Sequence, residues 1–175
     1  MSLLSKYKIK ITLIIIIAIC TSVFSYYDKP TPRFSLNGLY EVSNVIDGDT
    51  FEIRYGNKML TIRMLGIDTP ETVDPRKGVQ CFGKEASYKT KELILNKKIE
   101  IELDKTQSQT DKYGRILAYI KREDGLFINK FLIENGYAHE YTFIKPYKYQ
   151  KEFKNLEKLA REEKKGLWGL LCSKV

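Results

Sequence analysis

Hydrophobic and polar residues alternate in several short stretches of the chain, which is typical of half-buried β-strands. Ile99, Ile101 and Leu103, for example, alternate with two glutamates. Two of the stretches are separated by Gly56-Asn57, a pair that favours a tight hairpin turn. The pattern predicts strands over residues 40–46, 51–55, 60–64, 99–103 and 116–121.

Three longer stretches instead contain helix-forming residues or a helical repeat of apolar residues. They predict helices over residues 83–95, 126–135 and 147–165, the last with an apolar stripe of Phe153, Leu156, Leu159 and Ala160. The many lysines elsewhere on that helix are interpreted as a solvated face rather than a nucleic-acid patch. Because the strands do not alternate with helices as βαβ units, we expect an α+β fold: a small closed barrel of strands with the helices packed outside.

The N-terminus differs from the rest of the chain. Lys6, Lys8 and Lys10 precede an apolar run over residues 11–24, the order found in a secretory signal. Residues 11–27 also reach the lower limit of a membrane-spanning helix, so residues 1–25 are either a signal peptide or a membrane anchor. In both cases we expect an exported protein, secreted or tethered to the outer face of the cytoplasmic membrane, with a linker over residues 26–38 and one domain over residues 39–172.

Composition narrows the class of protein. The chain has 175 residues, of which 43% are hydrophobic and 30% charged, and it contains only three cysteines. These values exclude a disordered polymer, a collagen-like chain and a disulfide-dense scaffold. The net charge of +8 stays positive if residues 1–25 and their three lysines are removed. This surplus favours an anionic partner, either nucleic acid or an anionic membrane face.

Candidate chemistry lies in three short segments: Asp47-Gly48-Asp49-Thr50, Arg63 to Glu71, and Thr110 to Arg115. Taken alone, each segment has an ordinary structural interpretation. The first could be a common hairpin turn, the second a loop whose acids cap turns, and the third a basic turn at the surface. Together they supply oxygen ligands for Ca²⁺ or Mg²⁺, a spare carboxylate and two arginines. This combination suits cleavage of a phosphodiester bond.

These segments resemble the thermonuclease (staphylococcal nuclease) family in order and local spacing. Asp-Gly-Asp-Thr, Arg-x-x-x-x-Asp-Thr-Pro-Glu, Gly-x-Glu-Ala and Thr-Asp-Lys-Tyr-Gly-Arg are all present, and the resemblance extends over about residues 40–168. It implies a five-stranded OB-fold barrel with three helices and an active site that uses one Ca²⁺. The implied activity is endonucleolytic and exonucleolytic cleavage of DNA and RNA, preferably single-stranded or denatured, that leaves 3′-phosphates. The likeness implies a monomer without a protein partner.

The resemblance also implies a role for each matching residue. Asp49 and Asp68 would bind the metal through carboxylates and Thr69 through its backbone carbonyl. Asp47 would lie near the metal without binding it directly. Glu71 would be the general base or an electrostatic organiser, and the sequence leaves both roles open. The remaining matches are two phosphate-binding arginines, Arg63 and Arg115, and two nucleotide contacts, Lys112 and Tyr113.

One part of the family's pattern is missing. Thr142 and Ile144 occupy the positions where the family has nucleotide-packing tyrosines. The sequence leaves four candidates to replace them: Tyr141, Phe143, Tyr147 and Tyr149.

Cys81 and Cys172 remain once the export segment with Cys20 is set aside. Two cysteines in an exported domain predict one disulfide, with two free thiols as the alternative. The lone histidine, His139, is interpreted as a surface or packing residue.

Two other functions compete with a nuclease. One is a non-catalytic OB-fold module that binds nucleic acid, and the other is an envelope-tethered domain that binds anionic polymers by charge. The first would be expected to lack the acids and arginines that are present here. Only the positive charge and the basic last helix favour the second.

Overall fold

The computed structural model describes residues 14–21, 36–72, 78–170 and 172. The chain divides into two units, residues 1–34 and residues 35–175. In the first unit, residues 14–21 are helical and their side chains are exposed. No helix within the described ranges is long and apolar enough to cross a membrane. The basic residues 6–10 and the predicted cleavage point after Ser25 lie outside the described residues.

The second unit is built on a closed barrel of five strands. The strands of this unit are β1 (Leu39–Asp47), β2 (Thr50–Tyr55), β3 (Lys58–Met64), β4 (Ile67–Asp68), β5 (Lys98–Glu102), β6 (Ile116–Arg122) and β7 (His139–Glu140). The barrel order is β1-β2-β3-β6-β5, with β3 and β6 parallel and the other neighbours antiparallel. A separate ladder of two short strands pairs β4 with β7.

Among the described residues of the second unit, three α-helices accompany the barrel, as the sequence predicts. They are α1 (Gly83–Ile94), α2 (Ile128–Glu134) and α3 (Gln150–Glu162), followed by a 3₁₀ turn at Gly166–Trp168. The α+β class and the five-stranded barrel are confirmed. The helix predicted over residues 147–165 is longer than α3 at both ends, because residues 147–149 form a loop and residues 163–164 form a turn.

Alternation along the strands builds the barrel interior. Phe51 and Ile53 of β2 are fully buried, and Phe51 pairs with the equally buried Ile62 of β3. Thr50 and Arg63 pair next to them. Since successive side chains of a strand point to opposite faces, Arg63 lies on the face away from the core.

Two expectations about the helices and strands need correction. Leu159 does not belong to the buried stripe of α3, because 43% of its surface is exposed, while Phe153, Leu156 and Ala160 are buried. The β4–β7 ladder was not predicted, because a strand of two residues is too short to show an alternating pattern.

The predicted cysteine pair is bonded in the structure. Cys81 and Cys172 form a disulfide with their Cα atoms 5.7 Å apart. The bond joins the turn before α1 to the segment after the 3₁₀ turn. The described residues include one free cysteine, Cys20, which is exposed.

A buried carboxylate outside the candidate site connects three parts of the unit. Asp104 accepts hydrogen bonds from the backbone and hydroxyl of Thr106, from the Tyr119 hydroxyl at 2.8 Å and from the Lys148 backbone at 2.8 Å. Burial acts to raise the pKa of Asp104, but these hydrogen bonds outweigh it and the pKa lies below its usual value. Asp104 therefore links the loop after β5 to β6 and to the segment before α3.

Replacing Asp104 with alanine is expected to lower the free energy of unfolding by about 2 kcal/mol at neutral pH, because buried donors lose their acceptor. A carboxylate whose folded pKa is depressed stabilises the fold above its unfolded pKa, near 3.9. The difference between wild type and variant should therefore shrink as the pH falls through the folded pKa. Urea titrations at several pH values test this. Asp124→Asn, at an exposed ion pair, should show a much smaller change.

Candidate active site

The turn between β1 and β2 carries the first two acids of the site. Asp47 and Thr50 pair at the end of the hairpin, so Gly48 and Asp49 form its tip. Asp49 is only 5% exposed. Its carboxylate accepts hydrogen bonds from the Thr50 hydroxyl at 2.9 Å, and from the backbone N–H and hydroxyl of Thr69 at 2.8 and 3.0 Å. A buried carboxylate with this many donors is held in one position.

Arg63 brings Asp49 and Asp68 together. Its Nη2 lies 3.2 Å from Asp49 and 2.7 Å from Asp68. Its Nη1 donates to the backbone carbonyls of Met64 and Ile67, both at 2.8 Å. The Arg63 side chain is 12% exposed and that of Asp68 is 52% exposed. The first two sequence segments therefore form one cluster, with Asp68 on its solvent side.

Asp47 connects this cluster to Glu71. Its carboxylate accepts hydrogen bonds from Gly48 N–H at 2.8 Å and the Thr72 hydroxyl at 2.6 Å. Burial raises the pKa of Asp47, and the charges of Asp49 and Glu71 add to the increase. The Glu71 carboxylate accepts a hydrogen bond from Thr72 N–H at 3.0 Å. Asp47 and Glu71 thus lie on either side of Thr72.

The third segment approaches from β6. Asp111 organises it by accepting the backbone N–H groups of Tyr113 and Arg115 and pairing with Arg115 Nε at 2.7 Å. Leu117 pairs with Arg63 across the parallel β3–β6 ladder. Arg115 directly precedes β6, two positions before Leu117. The role of Arg115 therefore rests on this position in the chain and on its pairing with Asp111.

Tyr113 and Lys112 lie at the exposed tip of the same segment. The Tyr113 side chain is 71% exposed. Lys112 Nζ lies 4.9 Å from the centroid of its ring, and the Arg115 guanidinium lies 5.3 Å away. An exposed ring flanked by two cations is suited to stacking on a base beside a phosphate.

Comparison with known proteins agrees with this arrangement. The family model described as Staphylococcal nuclease homologue matches residues 61–169. The chain belongs to the staphylococcal nuclease family. It is 38% identical to the thermonuclease of Staphylococcus hyicus over 168 residues, which cover 92% of this chain and 98% of that protein.

Two further relatives show how far the likeness extends. The thermonuclease of Staphylococcus intermedius is 36% identical over 161 residues, covering 89% of this chain and 94% of that protein. Endonuclease YncB of Bacillus subtilis is 38% identical over 128 residues, covering 73% of this chain but 60% of that protein. The resemblance inferred from the sequence motifs is thereby confirmed.

The donor set of this staphylococcal nuclease family member fits a hard divalent cation. Asp49 and Asp68 offer carboxylate oxygens within reach of one nitrogen of Arg63, and Thr69 follows Asp68 directly. No group of three or more His, Cys, Asp or Glu side chains that could hold a metal occurs in the described part of the chain. A site with two carboxylates would leave most of the about six to eight oxygen positions of Ca²⁺ to carbonyls, water and substrate.

Two threonines of the site, Thr72 and Thr90, were not identified from the sequence. Thr90 of α1 donates its hydroxyl hydrogen bond to the Gly48 carbonyl at 2.6 Å. A Cβ atom on Gly48 would lie 2.7 Å from the Thr69 hydroxyl oxygen, so only glycine fits there. Thr69, predicted to bind a metal through its carbonyl, has a second task in the structure, because its N–H and hydroxyl donate to Asp49. Thr50 and Thr69 lie within the sequence motifs, but no local signal marks Thr90.

The structure separates the four aromatic residues proposed for the second nucleotide contact. Tyr147 is buried, and its hydroxyl donates to the Gly66 carbonyl at 3.1 Å. Tyr149 packs against Tyr119, with ring centroids 4.7 Å apart. Tyr141 and Phe143 are 44% and 76% exposed. Only these two present a substantial ring surface to solvent.

Proposed function

We propose that this chain is a nuclease that hydrolyses phosphodiester bonds of DNA and RNA with little sequence preference. The observation that carries the proposal is the Asp49–Arg63–Asp68 cluster, with Glu71 beside it through Thr72 and Asp47. Family membership supports it, because relatives of this chain are named thermonuclease and endonuclease.

Each residue is assigned a task by its chemistry. Glu71 accepts a proton from the attacking water and orients that water toward phosphorus. Arg63 and Arg115 donate hydrogen bonds to the phosphoryl oxygens, where negative charge accumulates in the transition state. Tyr113 stacks on a base and Lys112 neutralises a phosphate, which gives affinity without reading the sequence. We assign 3′-phosphate products, since the family resemblance implies this direction of cleavage.

We further propose Ca²⁺ as the metal, held by Asp49, Asp68 and the Thr69 carbonyl. A divalent cation at these oxygens supplies charge stabilisation to the phosphoryl group. The protein's own contribution is the fixed position of Asp49, which three donors and Arg63 maintain. Ca²⁺ is preferred over Mg²⁺ because the family resemblance implies Ca²⁺ and because Mg²⁺ requires near-octahedral geometry.

Digestion of denatured DNA should therefore require Ca²⁺. We expect rapid release of acid-soluble product with Ca²⁺, slower release with Mg²⁺ and none in excess chelator. Adding Ca²⁺ back should restore the rate, which excludes irreversible damage by the chelator. Undiminished digestion in chelator would contradict the metal assignment while leaving the nuclease assignment in place. Absence of digestion under every condition would favour the non-catalytic OB-fold module.

We also propose that the domain over residues 39–172 works outside the cytoplasm as a monomer, secreted or tethered through residues 11–27. Two observations support export: the basic and apolar pattern of residues 1–25, and the Cys81–Cys172 disulfide, which persists in oxidising compartments. The mass of the protein recovered from the medium and from membranes distinguishes a cleaved signal peptide from an anchor.

A further inference from the structure

The outer face of α1 carries a second basic and aromatic surface beside the candidate site. A cleft of about 320 Å³ is lined by Thr72, Lys84, Ser87, Tyr88 and Lys91. Lys84, Tyr88 and Lys91 are four and three positions apart, so they share one face of the helix. The five lining residues include no acid. We call this surface the α1 cleft.

Three side chains of the α1 cleft, those of Lys84, Tyr88 and Lys91, are available for a ligand. Tyr88 is 71% exposed, and both lysines are exposed. The third lysine of the helix, Lys89, is instead paired with Glu92 at 2.7 Å. Within the described part of the chain, neither Lys84 nor Lys91 makes an ion pair. Tyr88 is therefore a solvated aromatic ring between two solvated lysines.

The position of the α1 cleft is fixed relative to the acids. Thr72 lines the cleft and also donates to Asp47 and to the Glu71 carboxylate. On the inner face of α1, Thr90 holds the Gly48 carbonyl of the turn that carries Asp49. The helix is therefore hydrogen-bonded directly to the turn that carries Asp49.

We propose that the α1 cleft is an additional binding site for the single-stranded nucleic acid substrate, an inference that rests on the proposed nuclease function. Lys84 and Lys91 contact backbone phosphates and Tyr88 stacks on the base between them. The two lysines are about 10 Å apart along the helix axis, which leaves room for one stacked base between them. The cleft would hold the strand on one side of the bond that is cut.

Binding of a labelled oligothymidylate of about twelve nucleotides, a length typical for OB folds, tests the proposal when measured in chelator at several salt concentrations. Replacing both Lys84 and Lys91 with glutamine should make the slope of log K against log salt shallower by about 1.4, as expected for two lost phosphate contacts to a single strand. Replacing Lys151 and Lys154, exposed on α3, removes the same charge and should leave the slope unchanged.

Tyr88 provides an independent test of stacking. Tyr88→Ala should weaken binding by about tenfold, and Tyr88→Phe should retain it, because the ring rather than the hydroxyl makes the contact. For polymeric DNA, Tyr88→Ala should raise KM, whereas kcat/KM for a dinucleotide should fall far less.

The outcomes separate the cleft from the nuclease assignment. If wild type digests DNA but the α1 and α3 lysine pairs change the slope equally, the charge acts diffusely and the α1 cleft is not a site. Wild-type affinity of Tyr88→Ala would also overturn it. If wild type binds but never cleaves, and the Lys84 and Lys91 variant shows the predicted slope change, the nuclease assignment fails and the cleft stands. If wild type neither binds nor cleaves, both fail.

Discussion

Glu71→Gln is expected to lower kcat by about 10²- to 10⁴-fold, the usual contribution of a general base, without changing the free energy of unfolding. Glutamine cannot accept the proton of the attacking water. It can still accept the Thr72 N–H with its side-chain oxygen, the contact that the Glu71 carboxylate makes at 3.0 Å. The backbone of Glu71 stays bound to Gln80 on both its N–H and its carbonyl. The substitution therefore removes the proton acceptor while keeping the hydrogen bonds that hold the loop around residue 71.

The rate of hydrolysis of denatured DNA and a urea titration measure the two effects separately. Glu100→Gln is a matched control, since Glu100 is exposed on β5 outside the candidate site. Loss of the acidic limb of the kcat/KM profile in Glu71→Gln would identify Glu71 as the base. A large loss of rate with the limb retained would favour electrostatic organisation. Near wild-type turnover in the folded variant would remove Glu71 from the mechanism.

Arg63→Ala is a less informative experiment, although Arg63 is central to the cluster. The arginine pairs with Asp49 and Asp68 and donates to the carbonyls of Met64 and Ile67. Its removal would leave the buried Asp49 without its charge partner, which is costly for stability. A fall in activity could then reflect a rearranged site. Arg115 is 31% exposed and pairs with Asp111 alone among the described acids, so substitutions there disturb less of the fold.

The barrel could be predicted from the sequence because each of its strands spans five or more residues. Alternation over that length is visible in the sequence, and residues 51–54 of β2 and 61–64 of β3 show it in burial as well. The two-residue strands β4 and β7 carry no such signal, yet β4 ends at Asp68 and pairs with His139. What positions this acid is a contact between segments 71 positions apart in the chain.

The candidate acids and arginines could be identified from the sequence because they occur in short motifs. The threonines that donate hydrogen bonds to this site could be identified only where they lie in the same motifs. Thr50 adjoins Asp49, but Thr90 reaches Gly48 from 42 positions away. Hydroxyl contacts of this kind depend on the packing of α1 against the β1–β2 turn, which local sequence does not encode. The sequence also does not show which aromatic side chains are exposed to solvent. Tyr141 and Tyr147 are equal candidates in the sequence, but only Tyr147 is buried.

Breaking the Cys81–Cys172 disulfide is expected to produce the largest loss of stability. The bond connects residues 91 positions apart. In the chain-entropy model, closing a loop of this length stabilises the fold by about 4–5 kcal/mol, because the unfolded chain loses conformational freedom. Strain in the folded state reduces that value. Urea titration of a Cys81→Ser, Cys172→Ser variant should therefore show a loss of up to about 4 kcal/mol relative to oxidised wild type.

Reductant should destabilise wild type to a similar extent and leave the double variant unaffected. Cys20→Ser is the control for nonspecific thiol effects, since Cys20 is exposed and unbonded. Two titratable thiols in the oxidised wild-type protein, in addition to Cys20, would show that the bridge does not form in solution.

The effect of the bridge on catalysis should be small at temperatures where the reduced protein stays folded. Cys81 follows Gln80, whose backbone and side chain hold the backbone of Glu71, so the disulfide lies close to the proposed base. The sulfur atoms take no part in these hydrogen bonds. Gly83, at the start of α1, also packs against Thr72, and this contact does not depend on the disulfide. We therefore expect the double variant to keep kcat within about twofold of wild type, a change of less than about 0.5 kcal/mol. A much larger fall in kcat in the folded variant would mean that the disulfide positions Glu71 as well as stabilising the domain.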